Sequence, residues 1–185
     1  MLSITFPKDD YSLNYMLDTC ALNSIADSKE HTRLIINSIL YGYRYYKTDV
    51  QDRELNGVPD RTLEYEKADA WKLTDRAKIA KTVLAEIKAE RVSCVAAFLH
   101  NFFVLDGSMR LCPDEGTGPI ANMMQEIHNQ NIHHMRDAMI AESAIYNNCI
   151  LVTADKRLYK KVKKYFAQNV INYYDFIDEI KNLTN

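Results

Sequence analysis

Two aspartates stand at the ends of apolar runs, where parallel strands usually carry their ligand sites. Asp18 comes directly after the run 15–17, and Asp155 comes two residues after the run 149–153. Both runs indicate buried strands, because they are short, apolar and end abruptly at polar residues. Ligands of open parallel sheets bind in the crevice outside the carboxyl ends of the strands. We therefore expect both carboxylates at one edge of a sheet.

Two further acids can reach the same edge. Glu54 lies in a helical turn after the predicted strand 43–48, and Asp137 lies in the first turn of a helix before the run 149–153. Four converging carboxylates would repel one another and raise one another's pKa unless a cation stands among them. Oxygen ligands without clustered cysteine or histidine suit Mg²⁺ or Mn²⁺, which can activate water for phosphodiester hydrolysis. If the local register differs, Asp52 takes the place of Glu54.

Each acid also has a structural explanation when it is taken singly. Asp18 or Asp155 can cap the helix that follows it, and Asp137 can interact favourably with a helix dipole. The combination of four acids at predicted strand ends is what indicates a metal site rather than four separate caps. Thr19 and Thr153 are candidate supporting residues. Thr153 can hydrogen-bond Asp155 or a water at the metal, although a threonine at a strand end is more often structural.

The elements that position these acids alternate along the chain. Helical patterns are expected at 21–40, 50–57, 60–91, 119–128, 135–146, 156–165 and 173–183. Apolar or aromatic runs predict strands at 15–17, 43–48, 109–112, 149–153 and 170–172. The pair Thr74-Asp75 predicts an N-cap that divides 60–91 into two helices. Strands separated by helices imply right-handed crossovers and a mainly parallel sheet covered on both faces.

Composition is typical of one globular domain with reduced thiols. The chain has 185 residues, of which 47% are hydrophobic and 26% are charged, so it can bury a sizeable core without disulfides. The four cysteines include no close pair, which argues against a structural zinc site. The net charge of −2 does not exclude a nucleic-acid partner, because nucleic-acid binders carry their basic charge in local patches.

Secretion and membrane insertion are not expected. The N-terminal residues lack the basic segment and the apolar run of a signal peptide. The best apolar stretch, 92–105, carries His100 and Asn101 and is shorter than the roughly 20 residues that span a bilayer. We therefore expect a cytoplasmic protein.

Four segments around these acids resemble, in order and spacing, the motifs of the PIN-domain family. They are Tyr-Met-Leu-Asp-Thr at 15–19, Glu-Leu-Asn-Gly at 54–57, Asp-Ala-Met-Ile-Ala-Glu-Ser-Ala at 137–144 and Thr-Ala-Asp at 153–155. The resemblance implies a three-layer α/β/α sandwich and Mg²⁺- or Mn²⁺-dependent ribonuclease chemistry. It implies as metal ligands and catalytic residues Asp18, Glu54, Asp137 and Asp155. PIN domains often form homodimers, and many bacterial members are VapC-type toxins that a small antitoxin protein neutralises.

The chain departs from the family pattern in two places. Cys20 stands where an Asn usually follows Asp-Thr, and Asn23 is a substitute if the helix brings it round. Residues 60–112 look longer than the corresponding region of compact toxin members. We therefore predict a single PIN-like domain over 1–185 with an enlarged helical insertion at 60–112.

A basic run begins beside Asp155. It contains Lys156, Arg157, Lys160, Lys161, Lys163 and Lys164. Such a run is usually a solvated helix face, but beside metal-binding acids it can also attract the phosphates of RNA. The tyrosines at 41, 43, 45 and 46 can stack on bases, although alternating aromatic residues in a strand more often pack in a core.

The sequence predicts a divalent-metal-dependent endoribonuclease with RNA as its substrate, and the toxin of a toxin–antitoxin pair is one form of this prediction. The alternative is a non-catalytic RNA- or protein-binding module on a PIN-like fold. A phosphoacceptor receiver domain also gathers acids at strand ends, but the acidic pair and the late lysine that it needs are lacking. His133 and His134 are expected to be solvated, because two-metal chemistry needs no histidine base.

Overall fold

The computed structural model describes residues 13–56, 75–92, 94–96, 109–111, 118–128 and 134–184. The helices are α1 (Thr19–Ala26), α2 (Lys29–Ser38), α3 (Asp49–Leu55), α4 (Asp75–Glu86), α5 (Pro119–His128), α6 (Met135–Tyr146), α7 (Lys156–Tyr165) and α8 (Tyr173–Thr184). The strands are β1 (Asn14–Leu17), β2 (Arg44–Thr48), β3 (Glu90–Val92), β4 (Cys94–Ala96), β5 (Met109–Leu111), β6 (Ile150–Thr153) and β7 (Val170–Asn172). A short 3-10 helix, Ile39–Tyr41, follows α2.

Five strands form one parallel sheet in the order β3-β2-β1-β6-β7, and β4 and β5 form a separate parallel pair. From β1 the chain moves outward to β2 and β3, and it returns on the other side of β1 as β6 and β7. β1 and β6 are therefore neighbours, with Leu17 opposite Val152, although they are far apart in sequence. The junction between β1 and β6 is the switch point of the sheet, where open α/β sheets bind their ligands.

Helices cover both faces of this sheet. Tyr15 and Leu17 of β1 belong to an apolar cluster with α1, α2, α4 and α8, while Met16 between them belongs to a second cluster with α5, α6 and α7. The alternation follows from the strand period of two. Each large side chain that is fully buried stabilises the fold by roughly 1.5–3 kcal/mol. The protein is thus a three-layer α/β/α sandwich with a parallel sheet, as predicted.

Most of the predicted elements are confirmed, including every helix and strand predicted from 119 onward. Two predictions are wrong in detail. The helical stretch 21–40 is divided into α1 and α2, because Ser28 Oγ accepts from His31 N at 3.3 Å and caps a new helix. The helix that was expected to continue to residue 91 ends at Glu86, and residues 90–92 form β3.

The predicted insertion is described only in part. β5 matches the strand expected at 109–112, whereas β4 is a strand that the sequence pattern does not predict. The first helix of the predicted pair in 60–91 and the Thr74 cap lie outside the described residues, so one domain with an insertion stays a prediction. No helix in the described part of the chain has the length and apolar character required to cross a bilayer.

Candidate metal centre

A backbone hydrogen bond fixes the end of β1 against the end of β6. Asp18 N donates to Val152 O at 3.0 Å, directly after the last paired residues of the two strands. The Asp18 residue is only 3% exposed. Burying an ionised carboxylate costs free energy unless hydrogen bonds or a cation compensate its charge. The groups around Asp18 must therefore stabilise its charge or favour its protonated form.

Thr153 joins Asp18 to Asp155. Asp18 Oδ1 accepts from Ala21 N at 2.6 Å and so caps α1, while Asp18 Oδ2 accepts from the Thr153 hydroxyl. The same Thr153 oxygen accepts from Asp155 N at 3.0 Å. The predicted hydrogen bond between Thr153 and Asp155 is thus present, through the backbone of Asp155. One hydroxyl connects the two central strand ends of the sheet.

Asp155 caps the helix that follows it. Its Oδ1 accepts from Arg157 N at 2.7 Å and from Leu158 N at 3.3 Å, while Arg157 Nη2 lies 3.6 Å from Oδ2. The capping role that was considered for Asp18 and Asp155 is therefore present at both positions. An Asn or a Ser caps a helix about as well as an Asp. Capping alone does not explain why both residues are acids.

Glu54, rather than Asp52, faces the other acids. The Thr19 hydroxyl donates to Glu54 Oε2, and this contact ties α3 to the start of α1. Arg136 Nη1 lies 3.4 Å from Glu54 Oε1. Asp52 instead forms an ion pair with Lys47 at 2.9 Å. The geometry favours Glu54 as the second acid of the set and gives Thr19 a supporting contact.

The buried aspartate of β1 has an altered protonation equilibrium. Burial, assisted by the charges of Asp137 and Asp155, raises the pKa of Asp18 to about 7. Hydrogen bonds from Thr153 and from Ala21 N favour the ionised form and oppose this rise. Asp18 therefore exchanges its proton near neutral pH, in a place where a cation would favour the ionised carboxylate.

Asp137, in the first turn of α6, completes the group. Burial, and then the charges of Glu54 and Asp155, raise the pKa of Asp137 to about 6. The charges of His134 and Arg157 oppose the rise. The charges of Asp137 and Asp155 thus act on Asp18, and the charge of Glu54 acts on Asp137. All four predicted acids therefore lie close enough to interact at one edge of the sheet.

Burial, and then the charges of all four carboxylates, raise the pKa of the Cys20 thiol. Partial burial is the largest cause that raises the pKa of this thiol to about 12, although the residue as a whole is exposed. The further causes are, in decreasing order, the charges of Asp18, Asp137, Asp155 and Glu54. Cys20, which stands where PIN domains usually carry an Asn, thus borders the acids, whereas Asn23 is half-buried further along α1.

The chemistry of these donors fits a hard divalent cation, but the donors are not yet gathered around one point. Among the residues with described side chains, no three acidic, histidine or cysteine side chains form a group that could hold a metal ion. Asp18, Glu54 and Asp155 are instead turned toward hydroxyls, backbone N–H groups and arginines. Mutually repelling carboxylates with raised pKa values are stabilised by Mg²⁺ or Mn²⁺. To bind the metal, these three carboxylates would have to rotate away from the protein groups that they now contact.

Gln51 is a buried polar residue that the helical pattern alone does not predict. It is 0% exposed, and its Nε2 donates to Leu17 O at the end of β1. Its Oε1 accepts from Thr48 N at 2.8 Å, while Thr48 Oγ1 accepts from Gln51 N at 3.3 Å. The Thr-x-x-Gln pattern at these positions is the sequence signal of such a capping box. Gln51 thereby holds α3, and Glu54 with it, against β1.

The basic helix α7 contains two sets of side chains. Lys161 Nζ donates to Glu126 O at 2.9 Å and Lys164 Nζ pairs with Glu126 Oε2 at 2.6 Å, so both hold α7 against α5. Lys163 Nζ donates to Tyr159 OH at 2.7 Å within α7. The exposed residues in the first turns are Lys156, Arg157 and Lys160. The RNA-binding role of this helix stays a prediction, and these three exposed cations are the ones that follow Asp155 most closely in the chain.

Tyr43 and Tyr45 are core residues, as the packing interpretation of the aromatic strand predicts. They are 3% and 2% exposed, and the Tyr43 ring stacks on that of Tyr15 with centroids 5.1 Å apart. His134 precedes α6 and makes no side-chain cap bond, while His133 lies outside the described residues.

Four acids, two hydroxyls and two arginines therefore lie near one another outside the switch point of a parallel α/β sheet, without forming one cluster of carboxylates. No protein-family model, curated protein or solved structure significantly matches this chain. The PIN-domain resemblance rests on the four motif segments and stays a prediction.

Proposed function

We propose that the chain is a divalent-metal-dependent endoribonuclease that hydrolyses RNA phosphodiester bonds at this acidic edge. The observation that carries the proposal is the buried Asp18 carboxylate at the switch point, with Asp137 and Asp155 close enough to raise its pKa. Neutral residues would cap the helices about as well, so helix capping alone does not explain why like charges lie close together here. Perturbed acids that meet at a ligand-binding edge are typical of a functional site.

Asp18, Glu54, Asp137 and Asp155 would hold Mg²⁺ or Mn²⁺. When bound, the metal supplies an activated water and stabilises the departing oxyanion. The chain contributes position: the start of α1 and the Thr153 hydroxyl hold Asp18, and the start of α7 holds Asp155, at the ends of adjacent strands, from which both carboxylates would rotate to bind the metal.

The exposed cations of α7 would bind RNA beside the acids. Lys156, Arg157 and Lys160 lie in the first turns of the helix that Asp155 caps. Contacts of this kind attract and position a phosphate backbone without reading its sequence. Substrate positioning is therefore assigned to residues next to the acids, and sequence preference is not assigned to them.

Cleavage of a labelled single-stranded RNA by the purified protein tests the proposal. We expect cleavage with Mn²⁺ or Mg²⁺, none with EDTA, and none by Asp155→Asn protein that keeps the wild-type circular dichroism spectrum. RNA that is bound but never cut, whatever the metal, would instead favour the non-catalytic binding module.

Two partners are proposed on the family resemblance alone. A homodimer is expected in solution, and light scattering gives the mass that tests it. A small antitoxin protein is the second, and a short reading frame for a DNA-binding protein next to this gene would support it.

A further inference from the structure

Tyr174 is a large aromatic residue that the fold leaves exposed at the edge of the sheet where the acids lie. It is 64% exposed and is the second residue of α8, the helix that follows β7. Strands β6 and β7 are parallel neighbours in which Thr153 pairs with Asn172. Asp155 and Tyr174 each follow two residues later, so they leave adjacent strands at the same level, and such strands lie about 4.8 Å apart. Tyr174 therefore borders the acidic edge.

The Tyr174 ring is supported from below although its outer side is exposed. It contacts the ring of Tyr173 edge-on, with the centroids 5.2 Å apart and an interplanar angle of 69°. Tyr173 is buried, and its hydroxyl lies 2.6 Å from His31 Nδ1 of α2. The support of the ring comes from Tyr173, since the Asn172 side chain bonds the Tyr174 backbone. Each Cα–Cβ bond of a helix tilts toward the helix N-terminus, so that of Tyr174 points toward the edge.

Exposed cations accompany this ring. Single exposed apolar residues are common on protein surfaces, so the neighbours of Tyr174 decide what it can bind. Helix α7 contacts β7, and the exposed residues in its first turns are Lys156, Arg157 and Lys160. A hydrogen bond to Tyr159, with a smaller contribution from the charge of Asp175, raises the pKa of Lys163. Lys163 thus offsets part of the charge of Asp175, the acid next to Tyr174 in the chain. An aromatic ring beside cations is what single-stranded nucleic acids bind, through stacking and phosphate attraction.

We propose that an unpaired base of an RNA strand stacks on Tyr174, and that the RNA bound at the acidic edge is single-stranded. The inference rests on the proposed function, because it takes RNA to be bound at this edge, but it needs no metal. A base can stack on Tyr174 only after it has left its own stack, which bases of a single strand can do and bases inside a duplex do not. Every base has a π-face, so this contact would select unpaired RNA without selecting a sequence.

The first measurement is the affinity for a fluorescently labelled oligouridine in EDTA, so that no metal enters the comparison. Tyr174→Ala should weaken binding about fivefold or more, which is the lower end of what the loss of one base–aromatic stack costs. Tyr174→Phe should bind like the wild type, because the ring carries the stacking. Tyr174→Leu is apolar but has no ring, so it should bind like Tyr174→Ala. The same RNA annealed to its complement should bind more weakly, and the wild type and Tyr174→Ala should bind it equally.

Tyr41 provides a matched control, and the salt dependence of binding provides a second readout. Tyr41 is 49% exposed, but it ends the short helix before β2 and so lies at the opposite edge of the sheet. Tyr41→Ala should leave the affinity for oligouridine unchanged. Tyr174→Ala should keep the wild-type slope of log affinity against log salt, because the ring neutralises no phosphate. Lys160→Gln should instead reduce that slope by about one.

The outcomes separate this inference from the function on which it rests. Tyr174→Ala protein that binds oligouridine as tightly as the wild type, or wild type that binds the duplex as tightly as the single strand, overturns the inference alone. Wild type that binds oligouridine through Tyr174 but cuts no RNA with Mn²⁺ or Mg²⁺ supports the inference and overturns the nuclease. Wild type without affinity for either RNA overturns both. If Tyr174→Ala does not fold, the comparison of Tyr174→Leu with Tyr174→Phe decides, and equal affinities of these two contradict stacking.

Discussion

Four strands of the large sheet lead directly into helices, and two of these junctions are charged while two are neutral. At the central strands β1 and β6, Asp18 and Asp155 accept hydrogen bonds from the first turn of the next helix. At β2 and β7, Thr48 and Asn172 do the same. The backbone requirement is met equally at all four ends. Helix capping therefore explains an oxygen atom at each position, but it does not explain the two central carboxylates.

Thr48 and Asp18 are the buried caps of the neutral and the charged pair, and they differ in their effect on the free energy of folding. Thr48 is 0% exposed and uncharged, and it forms a capping box with Gln51. Asp18 is 3% exposed, and burial beside other acids raises its pKa to about 7. A neutral cap would have avoided this repulsion. The comparison indicates that the central ends keep their charge for a purpose other than folding.

The largest expected effect is on cleavage. Asp18→Asn and Asp155→Asn keep an oxygen for capping but remove the charge, and each should lower metal-dependent RNA cleavage by at least about a hundredfold, since loss of an outer-shell partner of a metal site already costs 10–100-fold. Asn172→Ser, at a neutral junction, should cleave like the wild type. Equal rates in all of these variants would remove the distinction between central and outer junctions.

The next effect is on stability without metal. The folded pKa of Asp18, about 7, lies above its ordinary value of 3.8, so between these values the folded state binds more protons than the unfolded state. This stabilisation is complete below about pH 4 and is lost as pH rises through about 7, on the order of 4 kcal/mol. Asp137, whose pKa is raised to about 6, adds to the loss over a narrower range.

Urea unfolding in EDTA at several pH values measures this dependence. The difference in unfolding free energy between Asp18→Asn and wild type isolates the contribution of Asp18 from those of other titrating groups. We expect the variant to gain stability relative to wild type as pH rises. A difference that does not change with pH would mean that the Asp18 carboxylate carries no excess repulsion.

Gln51 connects a neutral junction to a charged one. Gln51→Leu leaves the Leu17 carbonyl and the Thr48 N–H buried without their side-chain partner. Each unsatisfied group costs about 1–3 kcal/mol, so unfolding in denaturant should show a loss of about 2–6 kcal/mol. RNA cleavage should also decrease, because α3 carries Glu54. An active and fully stable variant would contradict the positioning role.

The smallest effect is expected at the outer end of β7. Asn172 Oδ1 accepts from Tyr174 N at 3.0 Å, and Asn172→Ala removes this bond. Loss of a helix N-cap costs about 1 kcal/mol, so denaturant unfolding should shift slightly while cleavage stays at the wild-type rate. A large loss of cleavage at unchanged stability would assign the β7 end to the site as well.

Local patterns in the sequence predict the acids well, because each acid lies next to a clear element. β6 has three fully buried residues in succession, and Asp155 follows it. The edge strand β3 is different: its Glu90 and Arg91 are exposed, so its composition resembles that of a helix surface. The Ser28 cap likewise lies inside a stretch whose apolar spacing is helical throughout, so the spacing does not indicate that a new helix begins there.

Contacts between distant residues could not be predicted in this way. Nothing local to residues 14–17 indicates that β1 pairs with β6, although this pairing is what brings two aspartates together. The hydrogen bond of Gln51 to Leu17 and the ion pair of Arg136 with Glu54 also depend on packing between elements. The sequence therefore predicts which residues reach the edge, and the tertiary structure decides which of them meet.

The hydrogen bond between Thr153 and Asp18 has a consequence for protein synthesis. It joins residues 135 positions apart, and the β1–β6 pairing that it accompanies cannot form until residue 153 has left the ribosome. Such long-range contacts form slowly, because the entropy lost on closing the loop precedes the stabilisation gained. Asp18 and Glu54 are therefore synthesised long before Asp137 and Asp155. Chemistry that needs all four can begin only when most of the chain has been translated.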